Sequence, residues 1–265
     1  MDAPTPTFPQ IVEMDLIFPR NDTYESIPLM PVVFAIQNFY VSKPLFLRIS
    51  YSLEQNPYIN GPNVNGHLYL DNADFHNDSD PYFLYSWTHN YNTTVGTWNF
   101  IWEWSVGNCS SAYDPAEPFE PLHIGNTGGL NYLRFTTKHG AKMPDLAAAS
   151  QDGHCDKLPA HTFNITEVLE VPLGTRYYNN QPSCPALSTI TPTPNPCRVK
   201  IDPTAASSIS YAIQSKACVG GSSPYVTCPP GVELWSSARG AAQLLPGAVL
   251  LVAIFAWVVL MIESV

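Results

Sequence analysis

Short apolar segments recur along most of the chain, and turn-forming residues separate them. The segments that predict strands are Ile11–Phe18, Pro31–Gln37, Leu45–Ser52, His67–Leu70, Tyr82–Trp87, Gly96–Val106, Asn131–Thr137 and Phe163–Val171. Breaks such as Asn60-Gly61-Pro62 and the glycine-rich segment Gly125–Gly129 predict turns between them. Short strands at this spacing are typical of two packed antiparallel sheets. The pattern therefore predicts a mainly β fold, an Ig-like antiparallel β-sandwich.

The segment from Trp98 to Val106 alternates between apolar and polar residues. Five large apolar side chains fall on one side of this strand: Trp98, Phe100, Trp102, Trp104 and Val106. An exposed row of aromatic rings is one way to bind sugars, because sugar rings stack on flat faces. The polar residues Asn99, Glu103 and Ser105 on the opposite side favour the other interpretation, in which the aromatic row faces the core.

One helix is predicted late in the chain. Asp202 is a suitable N-cap, Pro203 suits the first turn, and Gly220-Gly221 ends the periodic segment. Four of the six cysteines lie between residues 184 and 228, around this helix. They predict a small disulfide-stapled α/β cap, in which Cys197 precedes the helix on a short strand.

The cysteines are even in number and form no CxxC pair, which predicts three disulfides in an oxidising compartment. They are Cys109, Cys155, Cys184, Cys197, Cys218 and Cys228. Spacing alone leaves their connectivity open. The simplest nested arrangement pairs Cys197 with Cys218, Cys184 with Cys228, and Cys109 with Cys155.

Five Asn-X-Ser/Thr sequons predict N-glycosylation and fit the same compartment. The acceptor residues are Asn21, Asn77, Asn92, Asn108 and Asn164. The segment 188–194, rich in serine, threonine and proline, is suited to O-linked sugars. The first residues show neither a basic n-region nor an apolar h-region, so no signal peptide is visible. The expected secretory route therefore rests on the cysteines, the sequons and the segment 188–194.

The segment Leu244–Ile262 contains no charged residue. As a helix it would rise about 28 Å, enough to cross a hydrocarbon core of roughly 30 Å. An apolar C-terminal segment with no basic residue after it is typical of a GPI-attachment signal. Ser236, in the small-residue triplet 236–238, is the candidate attachment site, and the triplet 240–242 competes with a shorter spacer. The alternative is a retained transmembrane helix; in both cases we expect the chain on the extracellular face of the plasma membrane, with the membrane as a partner.

Composition supports this organisation and excludes one class of partner. We predict a Pro/Thr-rich lead-in at 1–10, the sandwich at 11–180, the Cys-rich cap at 181–232, a linker at 233–243 and a hydrophobic tail at 244–262. The 26 prolines would interrupt long helices but suit short strands and fixed turns. Twelve basic residues against twenty-two acidic ones leave no cationic field for a phosphate backbone, so nucleic-acid binding is excluded.

No residue pattern predicts a catalytic site, a metal site or a cofactor. The seven histidines form no HExxH pair. His154-Cys155-Asp156 has the residue types of a thiol nucleophile, but an oxidising compartment favours a disulfide for this cysteine. The acidic segment Asp71–Asp80 offers oxygen ligands for Ca²⁺ but lacks the EF-hand glycine and glutamate, so a solvated, glycosylated turn is the preferred interpretation. Glu103 is one candidate carboxylate for glycoside hydrolysis, which requires two.

Two segments near the N-terminus carry a family resemblance. Met14–Tyr24 and Ile27–Asn38, which contain FPRN and PLMPVVFA, resemble the opening of a fungal secreted domain family of unknown function. The strand from Gly96 to Cys109, the Cys-rich C-terminal part and the GPI-like tail are similar to later features of that family. The resemblance covers nearly the whole chain from residue 11 up to the tail. It implies an extracellular location and this architecture, and it carries over no catalytic residue.

We therefore predict a non-enzymatic, glycosylated fungal cell-surface protein, tethered by its C-terminus, with cell-wall polysaccharide as a candidate partner. Two alternatives stay open, a cell-wall glycan hydrolase with paired carboxylates and a carbohydrate-binding adhesin module. A hydrolase needs a cleft with facing acids, and a sugar-binding module needs exposed aromatic side chains. A purely structural protein needs neither.

Overall fold

The computed structural model describes residues 6–57, 64–75, 79–88, 94–111, 122–151, 153, 155–172, 182–220 and 226–232. The strands in these ranges are β1 (Gln10–Phe18), β2 (Thr23–Tyr24), β3 (Met30–Gln37), β4 (Arg48–Asn56), β5 (Val64–Tyr69), β6 (Tyr82–Thr88), β7 (Gly96–Ser110), β8 (His123–Thr137), β9 (Ala160–Glu170) and β10 (Ser183–Leu187). The helices are α1 (Leu146–Ala149) and α2 (Pro203–Val219). Short 3₁₀ turns lie at Phe39–Val41, Lys43–Leu45, Leu70–Asn72, Cys155–Lys157 and Pro196–Arg198.

Two five-stranded sheets pack face to face around the core. The first sheet has the strand order β10-β9-β1-β3-β6, and the second has the order β2-β8-β7-β4-β5. Neighbouring strands are antiparallel, except that the two-residue strand β2 runs parallel to β8. The predicted mainly β, sandwich-type fold is confirmed.

Each of the eight predicted strands is present, although some ends differ. β4 begins at Arg48 because the preceding residues form a 3₁₀ turn and Phe46 has a positive φ of 48°. β8 begins at His123, so the glycine-rich segment that predicted a turn is part of a strand. The glycines there permit close packing rather than a turn. A Cβ on Gly128 would lie 2.6 Å from the carbonyl oxygen of Trp104, and one on Gly129 would lie 2.9 Å from Nε1 of the same residue.

The aromatic row of β7 faces the core. Its buried members are Trp98, Phe100, Trp102 and Val106, and Trp104 is half-buried. Phe34 of the first sheet packs edge-on against Trp102, with ring centroids 5.1 Å apart. The indole N–H of Trp98 donates to the hydroxyl of Thr137 at 2.7 Å. These contacts confirm the core interpretation and exclude this row as an exposed sugar-binding surface.

All six cysteines form disulfides, as predicted, but the predicted nested pairing is wrong. The bonds are Cys109–Cys184, Cys155–Cys197 and Cys218–Cys228. Cys184 lies on β10, which pairs with β9 in the first sheet. Its bond to Cys109 on β7 therefore joins the two sheets instead of closing the cap. Cys197 lies in a 3₁₀ turn and not on the predicted strand.

The predicted late helix is α2, and its ends are as expected. Oδ1 of Asp202 accepts hydrogen bonds from the backbone N–H groups of Thr204 and Ala205, at 2.7 and 2.9 Å. The C-cap is Gly220. The buried residues of α2 are Ile209, Ile213, Ala217 and Cys218.

The cap, formed by α2 and the segment 192–201, lies over the outer face of the first sheet. The backbone N–H of Asn195 donates to Glu13 on β1 at 2.7 Å. The ammonium of Lys216 lies 4.5 Å from the ring centroid of Tyr85 on β6. The outer face of the second sheet is different, because it carries exposed side chains from several strands, such as Leu130 on β8.

Several predictions fall on residues outside the described ranges. They are the hydrophobic tail at 244–262, the candidate attachment site Ser236, and the sequon residues Asn77 and Asn92. Within the described part of the chain, no helix is both long enough and apolar enough to cross a membrane.

Candidate functional site

The outer face of the second sheet carries a hollow of about 550 Å³. We call this hollow the outer groove and define it by six residues: Arg48, Ser50, His67, Tyr69, Glu103 and Leu130. They come from four neighbouring strands, β5, β4, β7 and β8. Alternate residues of a strand point to the same side, so the polar residues of β7 share this surface with the outward-facing residues of β4, β5 and β8.

Strand register sets the rows of the groove. Ser50 lies opposite His67 on one side and Glu103 on the other, and Glu103 lies opposite Leu130. The next row consists of Tyr69, Arg48, Ser105 and Gly128. Gly128 has no side chain, so this row ends in a gap on β8. A side chain would not fit there, because its Cβ would lie too close to the backbone of β7.

Aromatic faces lie along the groove. The rings of His67 and Tyr69 are nearly parallel, with an interplanar angle of 14° and centroids 6.1 Å apart. The guanidinium of Arg48 lies 5.9 Å from the centroid of the Tyr69 ring. Tyr69 is 40% exposed and Tyr132, on β8, is 55% exposed. Tyr69 lines the groove and Tyr132 lies beside it on the same face of the sheet, and both rings are partly open to solvent.

Hydrogen-bonding groups lie between and beside these rings. The hydroxyl of Ser50 donates to Oε1 of Glu103 at 2.8 Å. The hydroxyl of Tyr132 accepts from Nη2 of Arg134 at 2.9 Å and donates to Oδ1 of Asn99. These contacts fix the side chains in place while leaving each polar group with further hydrogen-bonding capacity toward a ligand.

The groove does not supply the acid pair that glycoside hydrolysis requires. Among the described residues that line it, Glu103 is the one carboxylate. Hydrolysis needs a second carboxyl group about 5–10 Å away, across the scissile bond. The arrangement around Glu103 can bind a polar ligand, but the described residues give it no partner for acid–base catalysis.

A carboxylate pair does occur elsewhere, buried beneath the cap. Glu13 and Asp15 lie two residues apart on β1 and are both buried. Gln37 donates to Oδ2 of Asp15 at 2.8 Å, and its amide also donates to the carbonyl oxygen of Asn195 at 3.2 Å. Burial raises the pKa of Asp15 to about 8; the hydrogen bond from Gln37 opposes this rise, and the negative charge of Glu13 adds to it. Because the cap covers both carboxyl groups, the pair is part of the packing and is closed to a substrate.

A second polar group that sequence analysis missed lies inside the sandwich, around His161. Nε2 of His161 lies 3.0 Å from Oδ1 of Asn131. The imidazole is 5.6 Å from the ring of Trp102 and 5.0 Å from that of Trp104. Burial lowers the pKa of His161, so the neutral imidazole is favoured. The sequence contained no signal for this group, because His161 lies two residues before the predicted strand Phe163–Val171 and its neighbours come from other strands.

The remaining candidate residues are placed as follows. Cys155 is bonded to Cys197, so it is not a thiol nucleophile. In the acidic segment, Oδ1 of Asp80 accepts a hydrogen bond from the backbone N–H of Phe39 at 3.2 Å. No group of three or more potential metal-ligating side chains occurs within the described residues.

The described sequon residues differ in accessibility. Asn21 is exposed, whereas Asn108 and Asn164 are half-buried. Oδ1 of Asn108 also accepts a hydrogen bond from the backbone N–H of Leu187 at 3.1 Å. Asn21 is thus the described acceptor whose side chain is most open to modification.

Together these features define a disulfide-bonded β-sandwich domain that has one sheet face covered by a cap and one open face with a polar, aromatic groove. The chain belongs to the family of the domain of unknown function DUF7136, whose family model matches residues 7–228, more than four fifths of the sequence. This assignment agrees with the resemblance to a domain family of unknown function. Searches of curated proteins and of solved structures gave no match.

Proposed function

We propose that the chain is a non-enzymatic, glycosylated protein of the fungal cell surface that binds wall polysaccharide through the outer groove. The observation that carries this proposal is the contrast between the two sheet faces. The cap covers the first sheet. The second sheet leaves Tyr69 and Leu130 exposed in the groove, beside Ser50 and Glu103, and leaves Tyr132 exposed two residues further along β8. Single exposed apolar side chains are ordinary, but several of them around fixed polar groups indicate a binding surface.

Carbohydrate fits the chemistry of this surface. A sugar has an apolar ring face, which stacks on an aromatic ring, and a rim of hydroxyl groups. Tyr69 and Tyr132 supply the flat faces, while Glu103 and Arg134 supply charge-assisted hydrogen bonds. Three inter-strand spacings separate β5 from β8, about 14 Å across the strands. This extent favours a polymer over a single sugar unit.

The proposed location rests on the sequence and on the disulfides. Three disulfide bonds and five sequons support passage through an oxidising secretory compartment. We propose GPI attachment at Ser236, with a retained transmembrane helix at 244–262 as the alternative. Release of the protein from its host cell by phosphatidylinositol-specific phospholipase C, with a new C-terminus at or beside Ser236, is the expected result. Recovery of an intact tail peptide would favour the transmembrane alternative.

Binding to polysaccharide is tested directly with the purified protein. We expect it to co-sediment with at least one of insoluble β-glucan, chitin and mannan. Tyr69→Ala and Tyr132→Ala should each weaken binding about tenfold, because a lost stacking contact plus its buried area is worth about 1.5 kcal/mol. Tyr211→Ala is the matched control, since this tyrosine is 51% exposed on α2, away from the groove. Equal effects of all three substitutions, or binding to none of the polysaccharides, would overturn the proposal.

The hydrolase alternative has its own test at Glu103. Wild-type protein incubated with soluble fragments of the bound polysaccharide is expected to release no shorter products. If products appear and Glu103→Gln abolishes them while binding is retained, the chain is a glycan hydrolase and the non-enzymatic proposal fails.

A further inference from the structure

A cavity of about 950 Å³, open to solvent on one side, lies between the cap and the sandwich and shares no residue with the outer groove. We call it the cap cavity and define it by Leu29, Met143, Leu146, Ser210, Tyr211 and Ile213. Its size lies within the range of small-molecule binding sites. It lies where the segment before β3, the segment before α1 and one face of α2 converge.

The walls of the cap cavity are fixed by the fold. Leu29, Leu146 and Ile213 are buried and form an apolar floor. The disulfide between Cys218 and Cys228 turns the chain back after α2, so that the segment 226–227 forms a further wall. This covalent link holds the wall against the helix without requiring a ligand.

The mouth of the cavity exposes large apolar side chains. Met143 is 60% exposed and Tyr211 is 51% exposed. A flexible thioether beside an aromatic ring suits an apolar ligand of irregular shape.

Charge narrows the class of ligand. Among the described lining residues there is no lysine, arginine or histidine, and the one charged residue is Asp145. Oδ1 of Asp145 accepts a hydrogen bond from the backbone N–H of Ala148 at 2.9 Å and caps α1. An anionic ligand would therefore meet a carboxylate and no compensating cation. Four residues of α2 line the cavity with polar groups: Ser207, Ser210, Tyr211 and Gln214. The hydroxyl of Ser207 donates to the carbonyl oxygen of Pro203 at 2.8 Å, whereas Ser210 and Gln214 lie one turn apart on the same edge of the helix.

We propose that the cap cavity binds an uncharged amphiphile with a long or polycyclic apolar body and a hydroxyl head group. The apolar body packs against Leu29, Leu146 and Ile213. The hydroxyl exchanges hydrogen bonds with Ser210 and Gln214 at the edge of α2. This binding activity does not depend on the proposed polysaccharide site.

The test uses photolabelling of the full-length protein in phosphatidylcholine vesicles. One probe is a long-chain alcohol with a diazirine in its chain, and the other is the corresponding carboxylic acid in its ionised form. We expect the alcohol to label the peptides that contain Met143 and Tyr211 at least tenfold more than the acid does. Equal labelling by the two probes, or labelling of the apolar tail peptide alone, would overturn the proposal.

Two serines on α2 supply matched variants. Ser210 lines the cavity and Ser208 does not, although both are exposed. Ser210→Trp should fill the mouth and reduce alcohol labelling of the cavity peptides at least tenfold, whereas Ser208→Trp should leave it unchanged. A similar loss in both variants, or in neither, would contradict the assignment. The comparison of the two probes on wild-type protein remains decisive even if a variant fails to fold.

Discussion

Replacing Asp15 with asparagine should stabilise the protein at neutral and alkaline pH. Asp15 is fully buried under the cap, next to the carboxyl group of Glu13, and Gln37 donates to its Oδ2. Oδ1 of Asp15 accepts no hydrogen bond from the described residues. An asparagine in this position still accepts the bond from Gln37, and its amide can donate to Glu13. The substitution therefore removes a carboxyl group that must take up a proton to be buried at neutral pH, or stay charged at alkaline pH, and it keeps the contacts.

The magnitude follows from the pKa of Asp15, which burial raises from 3.8 to about 8. Between these two pH values the folded state retains a proton that the unfolded state releases. The free energy of unfolding therefore falls by about 1.4 kcal/mol per pH unit over this range. The stability associated with protonated Asp15 is fully present below about pH 4 and is lost as the pH rises through 8. At pH 7 the cost amounts to about 4 kcal/mol, a large share of the ~5–15 kcal/mol that stabilises a typical domain.

Urea unfolding with the disulfides intact measures this effect. Near pH 4 the wild type and Asp15→Asn should unfold at similar urea concentrations, and at about pH 8 the variant should be more stable by several kcal/mol. Asp71→Asn makes the same substitution at an exposed carboxylate and serves as the control, and the effect of Asp15→Asn should exceed it. A difference between wild type and Asp15→Asn that stays constant with pH would refute the reasoning.

Three further predictions concern the sandwich. His161→Gln should reduce the loss of stability at acid pH. Burial lowers the pKa of His161, so the stability that its neutral form provides is present above pH 6.5 and is lost as the pH falls below it. If the melting temperatures of wild type and variant change in parallel across this pH range, the argument is wrong. Gly128→Ala should cost about 1–3 kcal/mol in urea unfolding, since its Cβ would meet the Trp104 carbonyl oxygen at 2.6 Å, and an unchanged midpoint would contradict this. Replacing Cys109 and Cys184 with alanine should cost about 4.5 kcal/mol, as expected for releasing a link across a sequence separation of 75, and a loss below 1 kcal/mol would show that the bond does not constrain the unfolded chain.

Local patterns were sufficient to predict the strands and the main helix. Alternation on β7 predicted which side of the strand faces the core, and Asp202 with Gly220 defined the ends of α2. These features depend on interactions within a few residues along the chain, so the sequence records them directly. The same applies to the polar side of β7, which predicted Glu103 on the surface but not the residues beside it.

Long-range contacts could not be predicted in the same way. The alternation of β1 is that of a strand with one solvated side, and only the packing of the cap makes Asp15 a buried residue. The disulfide pairing depends on which sheet contains β10, and the sequence around Cys184 does not show this. The glycines near residue 128 resemble a turn because the sequence does not show that Trp104 lies against them. The outer groove needs the register of four strands, so it could be described only after the sheet order was known.

The positions of two disulfides determine how the fold responds to mechanical load applied at its C-terminal side. A pull on the chain beyond Val232 reaches Cys228 first and passes through its disulfide to Cys218, at the end of α2. The helix can then peel away from the sandwich only as far as Cys197, which is bonded to Cys155. Residues 198–217 would extend by up to about 70 Å before this bond stops the motion. The cap therefore yields over a limited distance and protects the two sheets from the first part of any tension applied to the chain beyond residue 232.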